Sequence, residues 1–277
     1  MAYSVEFLES SRAAGFGPLP VLRAVLGAML ELDGRPVRLL DCGCGTGFFT
    51  RQYARLPGVA ATGLDLDEGL LSAARTLADR EGLDIRFLAG DITRLPFPEG
   101  SFDLVTSDIL LEIFPDKTVP IGELFRVCKP GGRVLCMEPN YLSAVRYDPR
   151  LSPEDNRLRT QLDSLGRDFG AGVELPEAMR RVGLEDLQLV PWLWGGVSLS
   201  PGGQGEERIS QYLSTAQAEL AQYVEKGLLS RGETAEYEEL FQRSAAARRG
   251  EDAIVLHGID VYLVCGRKPL PAGNKEE

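Results

Sequence analysis

Histidine and cysteine are scarce in this chain of 277 residues, which contains one histidine and five cysteines. A structural zinc site usually needs four nitrogen or sulfur ligands. Cys42 and Cys44 form a CxC pair, but no second pair of cysteines or histidines follows at a ligand spacing. The cysteines are odd in number, and several lie in strand-like apolar runs, a pattern that does not favour disulfides. The sequence therefore predicts neither a metal site nor a disulfide framework.

Long apolar runs and an excess of positive charge are also missing. No segment of about 18 apolar residues is present, and the first ten residues, MAYSVEFLES, lack the basic and apolar regions of a secretion signal. The 30 basic residues are outnumbered by 41 acidic ones, which gives a formal charge of −11. Nucleic acids and anionic membranes are bound through clustered Lys and Arg. We therefore expect a cytoplasmic protein that binds neither of them.

A regular alternation of helical and strand-like segments is what the sequence does contain. Compact apolar runs take turns with segments of helical periodicity, beginning at Val37 after a helical N-terminal part. Such alternation predicts an α/β fold with a doubly wound, mostly parallel sheet. In that architecture ligands bind beyond the carboxyl ends of the strands. Residues at these ends are therefore the candidates for a site.

Glycines and acidic residues stand at the predicted strand ends. The run Val37–Leu40 opens into DCGCGTG, in which alternate glycines allow a ligand to approach the main chain. The second run ends in GLDLD, which places Asp65 where a carboxylate can accept the hydroxyl protons of a ribose. The third ends in AGDI, with Asp91 at its rim. A nicotinamide fingerprint would need glycine at position 48, where this chain has Phe48.

The glycine turn follows the pattern D-x-G-x-G-x-G, and here the sequence resembles the class I S-adenosylmethionine-dependent methyltransferases. The resemblance continues through GDITRLPFPEGSFDLV and LFRVCKPGGRVLCMEPN and covers residues 37–140. It resumes at LPEAMRRVGLEDLQLV and IDVYLVCGRKP, which look like the last helix and the two closing strands of the family. The broad group that includes quinone-biosynthesis and natural-product methyltransferases is the most similar. The resemblance implies a Rossmann-like sheet of seven strands, S-adenosyl-L-methionine as cofactor and methyl transfer to a small molecule.

The resemblance also implies a set of cofactor contacts at the strand ends. The glycine turn would wrap the methionine and ribose part, Asp65 would hold the ribose hydroxyls, and Asp91 would accept from the adenine amino group. The implied cofactor-binding residues are Asp41, Gly43, Cys44, Gly45, Asp65, Leu66, Asp91, Ile92 and Ser107. By itself, Asp65 is also suited to cap the helix that follows, and a Gly-Asp pair is an ordinary turn signal.

Two carboxylates at the ends of the fourth and fifth strands are the candidates for a general base. The sulfonium of such a cofactor already activates the methyl group, so the protein chiefly holds the acceptor in line. If the acceptor must lose a proton, Asp108 and Glu138 are the catalytic candidates best placed to take it. Asp108 is alternatively suited to cap a helix, and Glu138 to support a turn. His257 lies in a strand-like run, which favours a structural role.

The domain organisation follows from the extent of these patterns. Residues 1–36 are predicted as an N-terminal helical cap and residues 37–277 as the methyltransferase-like domain, with helical insertions at about 141–172 and 195–251. The second insertion shows apolar positions at helical spacing, which predict a lid, a packed core or both. These positions are Ile209, Leu213, Ala216, Leu220 and Tyr223.

Three functions from different classes stay open on the sequence. A methyltransferase fits the motifs, and aromatic residues near the predicted site favour a small, partly apolar acceptor. These aromatic residues are Tyr141, Tyr147, Trp192 and Trp194. A domain that binds the cofactor without catalysing transfer carries the same motifs. A nicotinamide-dependent oxidoreductase is disfavoured by Phe48 and by the GDI and KPGG segments.

Overall fold

Helices and strands alternate along the part of the chain that the computed structural model describes, which is residues 5–16, 19–163, 171–200 and 203–271. The helices are α1 (Val5–Gly15), α2 (Leu19–Met29), α3 (Phe48–Tyr53), α4 (Glu68–Arg80), α5 (Thr118–Val127), α6 (Pro153–Asp163), α7 (Ala171–Arg181), α8 (Glu206–Glu225) and α9 (Thr234–Arg248), with a 3-10 helix at Leu111–Ile113. The strands are β1 (Val37–Cys42), β2 (Val59–Asp65), β3 (Arg86–Ala89), β4 (Phe102–Asp108), β5 (Cys128–Tyr147), β6 (Glu185–Ser200) and β7 (Ala253–Arg267). No helix within these ranges is long and apolar enough to cross a membrane.

Seven strands of the described chain form one sheet, in the order β3-β2-β1-β4-β5-β7-β6. The pairs β1–β2, β1–β4, β2–β3 and β4–β5 are parallel. Near the start of β5 the Gly131 N–H donates to Lys268 O at 2.8 Å, and the Lys268 N–H donates to Gly132 O at 2.9 Å, just beyond the end of β7. Because the start of one strand meets the end of the other, β7 runs antiparallel to β5. The predicted doubly wound, mostly parallel sheet of seven strands is confirmed.

Neighbouring residues on the central strands point into two different cores. In β1, Leu40 belongs to a core that includes Leu124 of α5, whereas Leu39 belongs to a core that includes Leu26 of α2. Successive side chains of a strand point to opposite faces, so both faces of the sheet are covered by helices. This burial on both sides explains the continuously apolar runs in the sequence. Polar groups are left to gather where the strands end.

The chain divides into two compact units. The first comprises Met1–Asn140, Gly170–Trp194 and Val261–Glu277, and the second comprises Tyr141–Phe169 and Gly195–Asp260. In the second unit α6, α8 and α9 share a core that includes Leu162, Leu220 and Leu240. The predicted stripe on α8 thus contributes to packing, with Ile209, Ala216 and Leu220 buried.

The second unit begins at Tyr141 and at Gly195, where the sequence predicts the insertions, but the first residues of each insertion are strand and not helix. The sequence predicts helical insertions from about residues 141 and 195, but β5 continues to Tyr147 and β6 to Ser200 before any helix begins. Pairing with a neighbouring strand overrides local breaking signals such as Pro139. Pro201 and Gly202, in the glycine-rich stretch before α8, lie outside the described residues. The domain boundaries drawn from the sequence stay a prediction.

Candidate functional site

The glycine turn after β1 adopts backbone angles that only glycine accepts readily. Gly43, Gly45 and Gly47 have φ values of +74°, +55° and +74°. A Cβ on Gly43 would collide with the Leu110 side chain, and one on Gly47 would lie 3.0 Å from the Phe87 ring. At Gly45 a Cβ would meet nothing within 4 Å. The turn therefore packs tightly at its two outer glycines and faces open space at the middle one.

Asp65, at the end of β2, holds this turn in place. Its Oδ2 accepts from the Gly45 N–H at 2.7 Å, and its Oδ1 accepts from the Asp67 N–H at 3.0 Å. The side chain that caps α4 belongs to Asp67, which accepts from the N–H groups of Gly69 and Leu70. The capping role considered for Asp65 is thus filled by Asp67. Each Asp65 oxygen retains a second lone pair, which leaves acceptor capacity for a ligand.

Asp41, at the end of β1, is buried beneath the turn. Thr50 donates its hydroxyl to Asp41 Oδ2, and Thr106 donates to Oδ1 at 3.4 Å. Burial raises the pKa of Asp41 to about 7, helped by the nearby Asp65 carboxylate and opposed by the Thr50 hydrogen bond. Asp41 thus joins β1 to α3 and β4 through hydroxyl groups and places a titratable carboxyl group next to the turn.

The end of β4 carries two buried polar groups with unused hydrogen-bonding capacity. The Tyr53 hydroxyl donates to Asp108 Oδ2 at 2.9 Å. Asp108 Oδ1 and Ser107 Oγ are buried without a hydrogen-bond partner among the described residues. Burial raises the pKa of Asp108 well above its usual value, and the carboxylates of Asp41 and Glu138 add to the effect. The Asp108 carboxylate therefore accepts from a buried phenol, which differs from the helix-capping alternative.

Glu138 of β5 binds the loop that follows β4. Its Oε1 accepts from the N–H groups of Leu110 at 2.8 Å and Leu111 at 2.6 Å, and its Oε2 accepts from Glu112 N–H at 3.3 Å. These are the contacts of a residue that supports a turn. Burial nevertheless outweighs these hydrogen bonds and raises the pKa of Glu138 to about 8. A catalytic role for Glu138 stays a prediction.

The third strand end is more exposed. Asp91 Oδ1 accepts from both the N–H and the hydroxyl of Thr93, each at 2.8 Å, and these bonds lower the Asp91 pKa. Ile92 is buried in the core, whereas Leu66, after β2, is 75% exposed. The structure thus gives Leu66, rather than Ile92, an open apolar surface. Cys44 in the glycine turn is half-buried, and all five cysteines are free thiols.

Several residues near these strand ends carried no signal in the sequence. Tyr53 comes from α3 and Glu9 from α1, neither of which belongs to a motif. Ile109, directly after Asp108, has a φ of +56°, which is rare for a β-branched residue. Such strain is usually kept only where the surroundings impose it, often at functional sites. Contacts from distant helices cannot be inferred from the spacing of residues within strands.

Other residues singled out in the sequence are only partly described. Trp192 stacks on Phe16 with ring centroids 6.3 Å apart, in the first unit. Tyr147 lies in the second unit and is 47% exposed. The side chains of Trp194 and His257 lie outside the described residues.

Comparison with known proteins identifies relatives of this chain. A family model described as a methyltransferase domain matches residues 40–136. The demethylmenaquinone methyltransferase of Thermus thermophilus is 41% identical over 110 residues, which are 39% of this chain and 50% of that protein. The chain thus spans about half the length of this relative. The demethylmenaquinone methyltransferase of Geobacillus kaustophilus is 30% identical over 182 residues, covering 60% of this chain and 78% of that protein.

A solved structure gives an independent view of the fold. The [4+2]-cyclase SpnF matches with a TM-score of 0.55 at 22% identity, covering 96% of this chain and 93% of that chain. At this identity the likeness concerns the fold alone, and a protein named for a cyclisation has it, so the fold does not fix the reaction. The sequence relatives go further, since one of them is matched over most of its length. The chain belongs to the class I S-adenosylmethionine-dependent methyltransferases.

Proposed function

We propose that this protein binds S-adenosyl-L-methionine at the glycine turn and transfers its methyl group to a small-molecule acceptor. The observation that carries the proposal is the left-handed turn at Gly43, Gly45 and Gly47, tied by its middle N–H to Asp65. This arrangement brings an open stretch of main chain and a carboxylate together at the ends of two parallel strands. A nucleoside with a charged tail needs this combination.

The residues present fit such a cofactor. The space at Gly45 is open, and Asp65 keeps acceptor capacity for ribose hydroxyls. Ser107 Oγ and Asp108 Oδ1 are buried polar atoms without a partner among the described residues. An unsatisfied buried group of this kind costs about 1–3 kcal/mol unless a ligand or water completes it. We therefore assign the cofactor contacts to the turn, Asp65, Leu66, Asp91 and Ser107.

The chemistry of transfer asks little of the protein. When bound, the cofactor supplies a methyl group already activated by its sulfonium. The chain's own task is to exclude water and to hold the acceptor in line. Asp108 is the candidate proton acceptor, because its Oδ1 is buried at the end of β4 without a hydrogen-bond partner among the described residues. Glu138 is the weaker candidate, since backbone N–H groups occupy its carboxylate.

The acceptor class is proposed from the relatives. Both relatives described above are named demethylmenaquinone methyltransferase. We infer a small, partly apolar acceptor, with demethylated naphthoquinones as the first compounds to test. The chain's charge of −11 disfavours nucleic acid and anionic membranes as partners. We also propose a cytoplasmic location for the protein.

Calorimetric titration with S-adenosylmethionine and S-adenosylhomocysteine tests the proposed cofactor site. Asp65→Ala should weaken binding at least about tenfold, since a hydrogen bond to a charged group contributes about 1.5–3 kcal/mol. Asp65→Asn keeps an acceptor for the Gly45 N–H and should bind with intermediate affinity. Asp67→Ala is the matched control: it removes a neighbouring carboxylate that caps α4 and should lower stability without changing affinity.

The outcomes separate the competing functions. A folded wild-type protein that binds neither compound would contradict the proposal, and titration with NAD and NADP would then test the oxidoreductase alternative. Equal losses of cofactor affinity in Asp65→Ala and Asp67→Ala would show that Asp65 does not contact the cofactor. Transfer of a labelled methyl group to a naphthoquinone would support the enzyme. Cofactor binding without transfer to any screened metabolite would favour a catalytically silent protein.

A further inference from the structure

Helix α1 is fastened to the glycine turn by polar contacts. Thr46, within the turn, donates its hydroxyl to Glu9 at 2.5 Å. The other Glu9 oxygen forms an ion pair with Arg51 of α3, a side chain that is only 3% exposed. Arg51 also donates to Thr46 O at 2.8 Å. Glu9 is therefore bound to both the turn and the helix that follows it.

A second anchor lies seven residues further along the chain. Phe16, directly after α1, is fully buried and meets the ring of Phe49 edge-on, with centroids 5.0 Å apart. Residues 9, 12 and 16 share one face of a helix, because side chains three and four positions apart are neighbours. Arg12 therefore projects from the anchored face of α1, between the two contacts.

Arg12 interacts electrostatically with the carboxylates of the candidate site. It is half-buried, and among the described residues its guanidinium donates only a long hydrogen bond, 3.5 Å, to Leu8 O within its own helix. Burial lowers the pKa of Arg12, and the carboxylates of Glu9, Asp108, Asp41 and Asp65 oppose this effect. Three of these carboxylates end the strands β4, β1 and β2. The Arg12 guanidinium thus places a positive charge within electrostatic range of the groups that are proposed to face the cofactor.

The charges of the proposed cofactor explain why a cation would be needed there. Its amino-acid part carries an ammonium and a carboxylate, and its sulfur is a sulfonium. The strand-end carboxylates match the two positive groups, but they would repel the carboxylate unless a positive side chain faced it. An arginine is suited to this role, because its planar guanidinium binds a carboxylate through two parallel hydrogen bonds.

We propose that Arg12 of α1 binds the carboxylate of the cofactor's amino-acid part, so that α1 forms one wall of the cofactor site. This inference rests on the proposed function and deepens it. It makes α1 a binding element, where the sequence predicts only a helical cap.

The test compares two ligands that differ in one group, with calorimetry as the readout. S-adenosylmethionine carries the carboxylate, and decarboxylated S-adenosylmethionine lacks only that group. Arg12→Ala should weaken S-adenosylmethionine about 10- to 100-fold and change the decarboxylated ligand less than about threefold. Arg12→Lys should restore part of the lost affinity. Arg23→Ala is the control: it removes a positive charge from α2 that hydrogen-bonds Gln52, and it should leave both affinities unchanged.

Each outcome decides between this inference and its rivals. Equal weakening of both ligands in Arg12→Ala would show that Arg12 supports α1 without contacting the carboxylate. A gain in affinity would show that Arg12 competes with the cofactor for the acidic groups. Either result overturns the inference while the proposed function stands. If the wild-type protein binds neither ligand, both fail. Circular dichroism of each variant confirms that the fold is retained.

Discussion

The two ends of the central strands differ in whether their buried charged groups form ion pairs. Where β1 and β4 end, Asp41 and Asp108 are buried and accept hydrogen bonds from hydroxyl groups, with no salt bridge formed among the described residues. At the start of β5, Arg133 is buried and forms an ion pair with Glu31, which Arg267 of β7 also contacts. One end thus holds acidic groups with raised pKa values, and the other holds paired charges.

This difference indicates where the molecule gives up stability for function. A buried carboxyl group with a raised pKa destabilises the fold at neutral pH relative to a neutral side chain. A paired arginine does not impose that cost to the same degree. Natural proteins usually accept such local conflict only at functional sites. We therefore expect changes at the acidic end to alter ligand binding, and changes at the paired end to alter stability alone.

The largest effect is expected at the middle glycine of the turn. Gly45→Ala should weaken S-adenosylmethionine binding about 10- to 100-fold, because overpacking costs about 1–3 kcal/mol. Gly82→Ala is the matched control: Gly82 has a φ of +66°, and its Cβ would likewise meet nothing within 4 Å. Both variants should lose about 1–2 kcal/mol of stability from the left-handed backbone. If calorimetry shows that Gly45→Ala binds S-adenosylmethionine as tightly as wild type does, the cofactor does not occupy the space at Gly45.

The pH dependence of stability tests the acidic end next. Glu138 has a folded-state pKa of about 8, against about 4.3 in an unfolded chain. The folded state therefore keeps a proton that the unfolded state loses, and the free energy of unfolding falls as pH rises through this window. Glu138→Gln cannot ionise and still offers an oxygen to the backbone N–H groups. From pH 6 to pH 8 the variant should lose about 2 kcal/mol less than wild type.

Urea unfolding at the two pH values measures this difference. Glu138→Gln also removes the negative charge that helps to raise the pKa of Asp108. The resulting smaller pKa shift at Asp108 acts in the same direction, so the variant loses still less stability as pH rises. If the free energy of unfolding of wild type and variant changed equally with pH, Glu138 would be ionised in the folded protein throughout this range. The raised pKa of Glu138 would then no longer support the contrast between the two ends of the strands.

A smaller effect is expected at the paired end. Arg133 lowers the pKa of Glu31, chiefly through their hydrogen bond. Glu31→Gln should reduce stability by about 1 kcal/mol, because the pair is buried on one side and exposed on the other. Glu68→Gln, which breaks an exposed pair with Arg75, should change stability by less than about 0.5 kcal/mol. Neither variant should change cofactor affinity. A loss of cofactor affinity in Glu31→Gln would contradict the expectation that changes at the paired end alter stability alone.

The fold could be predicted where local pattern and tertiary structure agree. Apolar runs buried on both faces gave continuous signals for β1 and β4, and the glycine turn marked where β1 ends. The extension of β5 to Tyr147 could not be predicted, because Pro139 is a local signal against a strand, and only pairing with a distant neighbour compensates. The same holds for β6, which runs through two glycines, Gly195 and Gly196.

The candidate site could be predicted only in its strand-end half. Asp65 ends β2 and Asp91 follows β3, so topology brings them to one edge of the sheet. Tyr53 and Arg12 reach the site from helices, and a tyrosine or arginine in a helix gives no sign of what it will contact. The sequence also left open which acidic residue caps α4. The structure assigns that role to Asp67, because its carboxylate is the one that meets the first N–H groups of the helix.

Asp91 offers the finest test, because the chain contains a structural copy of its surroundings. Asp91 accepts from the N–H and hydroxyl of Thr93, and Asp116 accepts in the same way from Thr118. Asparagine retains the Oδ1 acceptor, so Asp91→Asn and Asp116→Asn should each leave stability almost unchanged. Only Asp91→Asn should weaken the cofactor, about threefold to tenfold, because a charged acceptor is replaced by a neutral one. Matching affinities in the two variants would reduce Asp91 to a turn residue and remove the third strand end from the cofactor site.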